Sequence, residues 1–164
     1  MPNTAVTLTR LRRFINQAES AWFTVYDSHL DKEITVNGGI YFKLPLRFST
    51  VSKVINYFRR FWSLRFSRIM LCNMRPIIYK GRLLVVAGDP PIVPFRVVTL
   101  RIVRETSQHI YVRAVLTDGI ETRQTVDYTI LKKSNNRLTI IRRTKTAGDF
   151  RYQPCTLMLK KKCK

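Results

Sequence analysis

Beyond Asn73 the apolar residues of this chain change period, and that change constrains the fold more than any other feature. Before it, Leu8, Leu11, Ile15, Ala18, Trp22 and Val25 recur at helical spacing, predicting an amphipathic helix from Thr7 to about Tyr26. Arg10, Arg12, Arg13 and Glu19 are expected on its wet side. Ser49 or Thr50 can cap a second helix carrying Val51, Val54, Ile55, Phe58 and Trp62 on one face. Ser63 can cap a short third helix with Phe66, Ile69 and Met70 inward. After Asn73 the pattern alternates, with strands expected over 75–79, 82–87, 95–104, 110–116, 122–131 and 137–142. An earlier hairpin is expected where Asn37-Gly38-Gly39 separates 33–36 from 40–46, because Asn-Gly accepts the positive φ angles of a tight turn. Helices first and an antiparallel meander after them predict an α+β domain with N-terminal helices packed on the sheet.

A chain of 164 residues with 45% hydrophobic residues can bury a sizeable core, which separates it from disordered basic tails. No apolar run reaches the roughly 18 residues of a membrane span. The domain is expected over 1–144. The remainder, 145–164, reads as a peripheral basic tail in which Thr156–Leu159 can add a strand. Lys and Arg number 30 against 10 Asp and Glu, a formal charge of +20. Such an excess implies a polyanionic partner: nucleic acid, an anionic lipid surface or an anionic cell-wall polymer. Cys72, Cys155 and Cys163 are too few for a disulfide framework; Cys72 is expected as a buried free thiol, and Cys155 and Cys163 can at most close a single local loop. The opening Met-Pro-Asn-Thr-Ala-Val lacks the regions of a secretory signal. The chain is therefore expected to be cytoplasmic, or extracellular as a mature form whose leader was removed.

Motifs for catalysis are missing from the sequence. It has no nucleophile elbow, P-loop, dinucleotide fingerprint or His-Glu-x-x-His, and its cysteines and two histidines match no zinc spacing. Asp27, Asp31 and Glu33 read as a solvated turn rather than an acid–base pair. No catalytic residue, metal or cofactor is expected. Arg59, Arg60, Arg65 and Arg68 interleave with Tyr57, Phe58, Phe61, Trp62 and Phe66, the residue mixture of a single-strand platform. The aromatics follow the helical core stripe, however, so burial is expected for them and phosphate contact for the arginines. Gly88-Asp89-Pro90-Pro91-Ile92-Val93-Pro94 can continue neither a helix nor a ladder and is expected as a projecting loop.

The run Val54–Trp62, then Phe66–Met70, Gly81-Arg82-Leu83, Gly88-Asp89 and Thr99–Val103, preceded by Trp22-Phe23, resembles the IseA-type inhibitors of bacterial D,L-endopeptidases. The likeness covers about Leu8 to Thr144, and Pro90 stands where that family favours a glycine. It implies a secreted, wall-associated, non-enzymatic inhibitor of NlpC/P60-type cysteine peptidases. Gly88, Asp89, Pro90 and Pro91 would then form the loop that enters the peptidase cleft, with Asp89 imitating a substrate carboxylate. A nucleic-acid-binding or ribonucleoprotein-associated domain is the alternative expectation.

Overall fold

The computed structural model describes residues 6–90 and 93–156. Three helices, α1 (Leu8–Tyr26), α2 (Val51–Phe58) and α3 (Leu64–Cys72), stand near the predicted positions, but α2 ends at Phe58, so Trp62, expected on its face, lies beyond it and bridges to Ile140 instead. Each begins at a hydroxyl cap: Thr7, Thr50 and Ser63 accept from the backbone N–H of Arg10, Lys53 and Phe66. Eight strands follow the alternating segments: β1 (Glu33–Val36), β2 (Gly39–Lys43), β3 (Ile77–Tyr79), β4 (Arg82–Val86), β5 (Arg96–Glu105), β6 (His109–Thr117), β7 (Arg123–Lys132) and β8 (Leu138–Arg143). Asn37 and Gly38 both take positive φ (48° and 80°), the tight turn that joins β1 to β2 in register Val36↔Gly39.

The strands form two antiparallel sheets rather than one. The expected meander is β5-β6-β7-β8, while the first four strands pair separately as β1-β2-β4-β3. The second expected strand also ends early, at Lys43, because Pro45 cannot donate to a ladder and a 3-10 turn begins at Leu46. Helix α1 lays Leu11, Ile15, Ala18, Trp22 and Val25 into the core against the inner face of the meander. The two indoles lock the helices: Trp22 Nε1 donates to Met70 O at 3.1 Å, and Trp62 Nε1 to Ala18 O at 2.9 Å. Phe58, Phe61, Trp62 and Phe66 are buried as expected, and Tyr57 is half-buried.

Glu19 is not on the wet side of α1. Its side chain is fully buried, and so are Arg143 and Arg151, which hold it. Four residues after Ile15 and three before Trp22, it lies on the core stripe itself. Arg143 Nε reaches Glu19 Oε1 at 2.7 Å and Arg151 Nη2 reaches Oε2 at 3.0 Å; the hydroxyls of Tyr128 and Tyr152 donate at 2.6 and 3.2 Å. Asp149 accepts from Arg151 Nη2 at 2.6 Å, so two acids and two bases share one buried cluster. Burial pushes the Glu19 carboxyl up, but the two guanidiniums overcome it and hold its pKa at about 2.

Residues 145–156 correct the expectation of a peripheral tail. Arg151 and Tyr152 plug the core from this segment, and Asn73 Nδ2 clips it to the end of α3 by donating to Arg151 O at 3.1 Å and Gln153 O at 3.0 Å. A disulfide joins Cys72 to Cys155 with Cα atoms 5.9 Å apart, so Cys72 is not the expected free thiol and Cys155 is not tied to Cys163. The sequence interval between them, 83 residues, hid the pairing because only the completed fold closes it. Residues 157–164, with Cys163 and most of the expected last strand, lie outside the described residues.

Candidate functional site

Helix α1 has a polar stripe opposite its core face, in which Thr9, Arg13, Gln17, Ser20 and Thr24 follow one another at helical spacing. Small side chains at positions 20 and 24 leave room beside Tyr57, Arg60 and Phe61 at the end of α2, and a groove of about 580 Å³ runs between the two helices. From Thr9 to Thr24 it follows about 22 Å of helix axis. At its N-terminal end it continues into a second depression that shares Arg13, Gln17 and Arg60 and adds Arg10, Asn136 and Arg137.

The cations along this track have different amounts of freedom. Arg12 Nη1 donates to Val97 O and Val98 O, both at 3.0 Å, pinning α1 to β5. Arg10 is held by Asn136, through Oδ1 at 3.2 Å and the backbone carbonyl. Arg60 lies over the wall of the groove, its guanidinium carbon 5.6 Å from the Tyr57 ring centre and 5.8 Å from that of Phe61. Among the described residues neither Arg13 nor Arg60 pairs with a carboxylate, and both are exposed. Among the described residues no acid lines either depression.

All four arginines expected to meet a polyanion, Arg59, Arg60, Arg65 and Arg68, are exposed. Only Arg60 lines the groove; Arg65 and Arg68 share a face of α3, and Arg59 caps α2. The partners of Arg60 come instead from α1 and from the β7–β8 turn. Their sequence signal was the Arg10, Arg12, Arg13 group, already placed on the wet side of α1 but not joined to Arg60, since no pattern in one sequence tells which helix faces cross.

The proline-rich loop follows β4. Gly88 and Asp89 are exposed and Pro90 half-buried, while Pro91 lies outside the described residues. The φ of Gly88 is 146°, which a side chain would strain although nothing crowds the position. The Tyr26 hydroxyl anchors this segment, lying 2.6 Å from Gly88 O and 2.8 Å from Val86 O. Burial, with the nearby Asp27 and Asp89 carboxylates, raises the Tyr26 pKa and so keeps the hydroxyl a donor. Pro90 borders a depression of about 370 Å³ with Val93, Phe95 and Ile120.

Four side chains of types used in catalysis are engaged in the fold. Cys72 is spent in its disulfide, Glu19 and Asp149 are buried in ion pairs, and His29 stacks on Phe42 with ring centres 3.9 Å apart. Among the described residues no group of three His, Cys, Asp or Glu side chains could hold a metal ion, and no helix is long and apolar enough to cross a membrane. No protein-family model and no curated protein matches the chain.

Proposed function

We propose that the protein is a non-enzymatic binder of a linear phosphodiester polyanion, which lies along the α1–α2 groove. One observation carries this reading: a track lined by Arg13, Arg60 and their arginine neighbours with, among the described residues, no carboxylate in its lining. Phosphate neutralisation releases condensed counterions, so a few aligned guanidiniums suffice for base-independent affinity. Tyr57 and Phe61 turn toward Arg60 and the core, which favours backbone contact over base stacking. Nucleic acid and an anionic wall polymer both present the spaced phosphates that the groove suits.

The test is the salt dependence of binding to a short single-stranded oligothymidylate, measured by fluorescence anisotropy. Replacing Arg13 and Arg60 together by Gln should reduce the slope of log affinity against log salt by about 1.4, or about 0.7 for each phosphate no longer neutralised. The pair Arg65→Gln, Arg68→Gln should leave most of the slope intact. If the α3 pair lowers the slope as much as the groove pair, the binding is diffuse and the groove is not the site. Parallel titrations with purified teichoic acid separate a wall polymer from a nucleic acid.

A second reading, inhibition of an NlpC/P60-type peptidase through Asp89, is favoured by a different observation. Asp89 is an exposed acid in a basic chain, and the carbonyl just before it is held by a buried tyrosine. A partly fixed loop loses less entropy on entering a cleft. On this reading the groove retains the protein on the anionic wall while the loop meets the enzyme.

A further inference from the structure

The smaller sheet has a feature that neither reading uses. Along β4 the residues alternate: Leu83 and Val85 enter the main core, whereas Leu84 turns to the other face and joins Val36 and Ile77 in a separate apolar cluster. Ile34, Tyr41 and Tyr79 pack around that cluster. The connection from α1 to β1 crosses the end of this face, held where Leu30 N–H donates to Lys43 O at 2.9 Å. The result is a depression of about 580 Å³, within the size range of small-molecule sites.

The lining of this depression has two parts. Leu30, Ile34, Leu84 and Tyr79 give it apolar surface, and Leu30 is 46% exposed at its lip. Lys32, Lys43, Lys80 and Arg82 give it positive charge against one acid, Glu33. The cations are partly preorganised. Arg82 Nη2 donates to Leu44 O at 2.8 Å, which fixes the guanidinium plane. Its Nε is buried and, among the described residues, has no hydrogen-bond partner. The Lys80 ammonium stands 5.3 Å from the centre of the Tyr79 ring.

We propose that this depression binds a small phosphate monoester carried on an apolar body, with the phosphate against Lys43, Lys80 and Arg82 and the body against Leu30, Ile34 and Leu84. A phosphate suits the site better than a carboxylate, because three cations, Lys43 on β2, Arg82 on β4 and Lys80 in the β3–β4 turn, line one depression and a phosphate monoester offers them three peripheral oxygens. An anion beside Arg82 also compensates the guanidinium electrostatically. This site shares no residue with the α1–α2 groove, so it stands or falls independently of polyanion binding.

The experiment titrates the full chain with octyl phosphate, inorganic phosphate and octanol, following the backbone amides of Tyr79, Arg82 and Leu84 by NMR. Octyl phosphate should bind roughly tenfold or more tighter than either of its halves. The double variant Lys43→Gln, Lys80→Gln should weaken it by about tenfold, whereas Arg13→Gln, Arg60→Gln should not. Arg82→Lys, which keeps the charge but loses the fork, should lie between the wild type and the double variant. Octyl phosphate binding no tighter than inorganic phosphate would overturn the proposal, as would indifference to the Lys43 and Lys80 changes, which would mark general attraction to a basic surface. Shifts that follow protein concentration rather than ligand would make this face a self-association surface and would equally overturn it.

Discussion

Glu19→Gln is the sharpest probe of what holds the fold together. The substitution preserves volume but replaces a carboxylate that receives two guanidiniums and two hydroxyls. An amide keeps one oxygen and points its NH₂ at donors, leaving Arg143 and Arg151 with Asp149 as their only acid. Removing one partner of a buried ion pair typically costs about 3–5 kcal/mol, because an uncompensated charge stays behind. For a chain of this size, where 1 kcal/mol moves the melting point by about 2–4 °C, the drop should be roughly 10 °C. The pH dependence gives an independent sign. The Glu19 pKa is lowered from 4.5 to about 2 in the fold, so its contribution is fully present above about pH 4.5 and is lost as pH falls through about 2. A depression of that size is worth roughly 3 kcal/mol. Urea unfolding of both proteins across that range should therefore show the gap between wild type and variant narrowing as the medium becomes acidic. A gap under about 1 kcal/mol at neutral pH, or one that does not change down to about pH 2, would refute this account of the cluster.

Two other expectations can be checked directly. Reducing the Cys72–Cys155 disulfide, or replacing both cysteines by Ala, should cost about 4 kcal/mol in thermal or urea unfolding, as expected for a long closed loop, and an unchanged midpoint would show that the clip from Asn73 alone holds the C-terminal segment. Asp89→Lys should abolish inhibition of an NlpC/P60-type peptidase on purified peptidoglycan with no change in melting temperature, since the side chain is exposed; a wild-type protein that inhibits nothing would end the inhibitor reading, and a variant that inhibits equally would end the role of the loop.

The period change after Asn73 and the hydroxyls at 7, 50 and 63 made the helices, their caps and most strands legible, because those signals are local. The division into two sheets was not legible. Strands β1 and β2 precede α2 and α3, and only tertiary pairing of β2 with β4 joins them to the later hairpin. Glu19 shows a different limit. Its position on the α1 core stripe was visible, but hydropathy places a lone acid on the wet side, and the two arginines that reverse this arrive more than a hundred residues later. The groove was half legible for the same reason: Arg60 was readable from its aromatic neighbours, but the polar stripe of α1 facing it required the helix crossing.

That buried cluster also sharpens the meaning of the charge. Glu19, Asp149, Arg143 and Arg151 sum to zero, so the formal +20 of the chain lies wholly outside the cluster. Repulsion among those outer charges is screened within about 8 Å at physiological ionic strength, whereas ion pairs in the core are screened far less. Salt should thus act on the two populations differently, weakening the phosphate contacts proposed for the groove while leaving the cluster that positions α1 largely intact. Helix α1 serves both at once, holding Glu19 on its inner face and Arg13 on its outer one. The neutral cluster fixes the helix in the core so that a surface with a large excess of positive charge can be presented without the fold depending on that surface being neutralised. A loss of phosphate affinity in salt with no loss of fold is what the proposed binding predicts, and a change of salt slope confined to Arg13 and Arg60 is what would separate the groove from a chain that is merely basic.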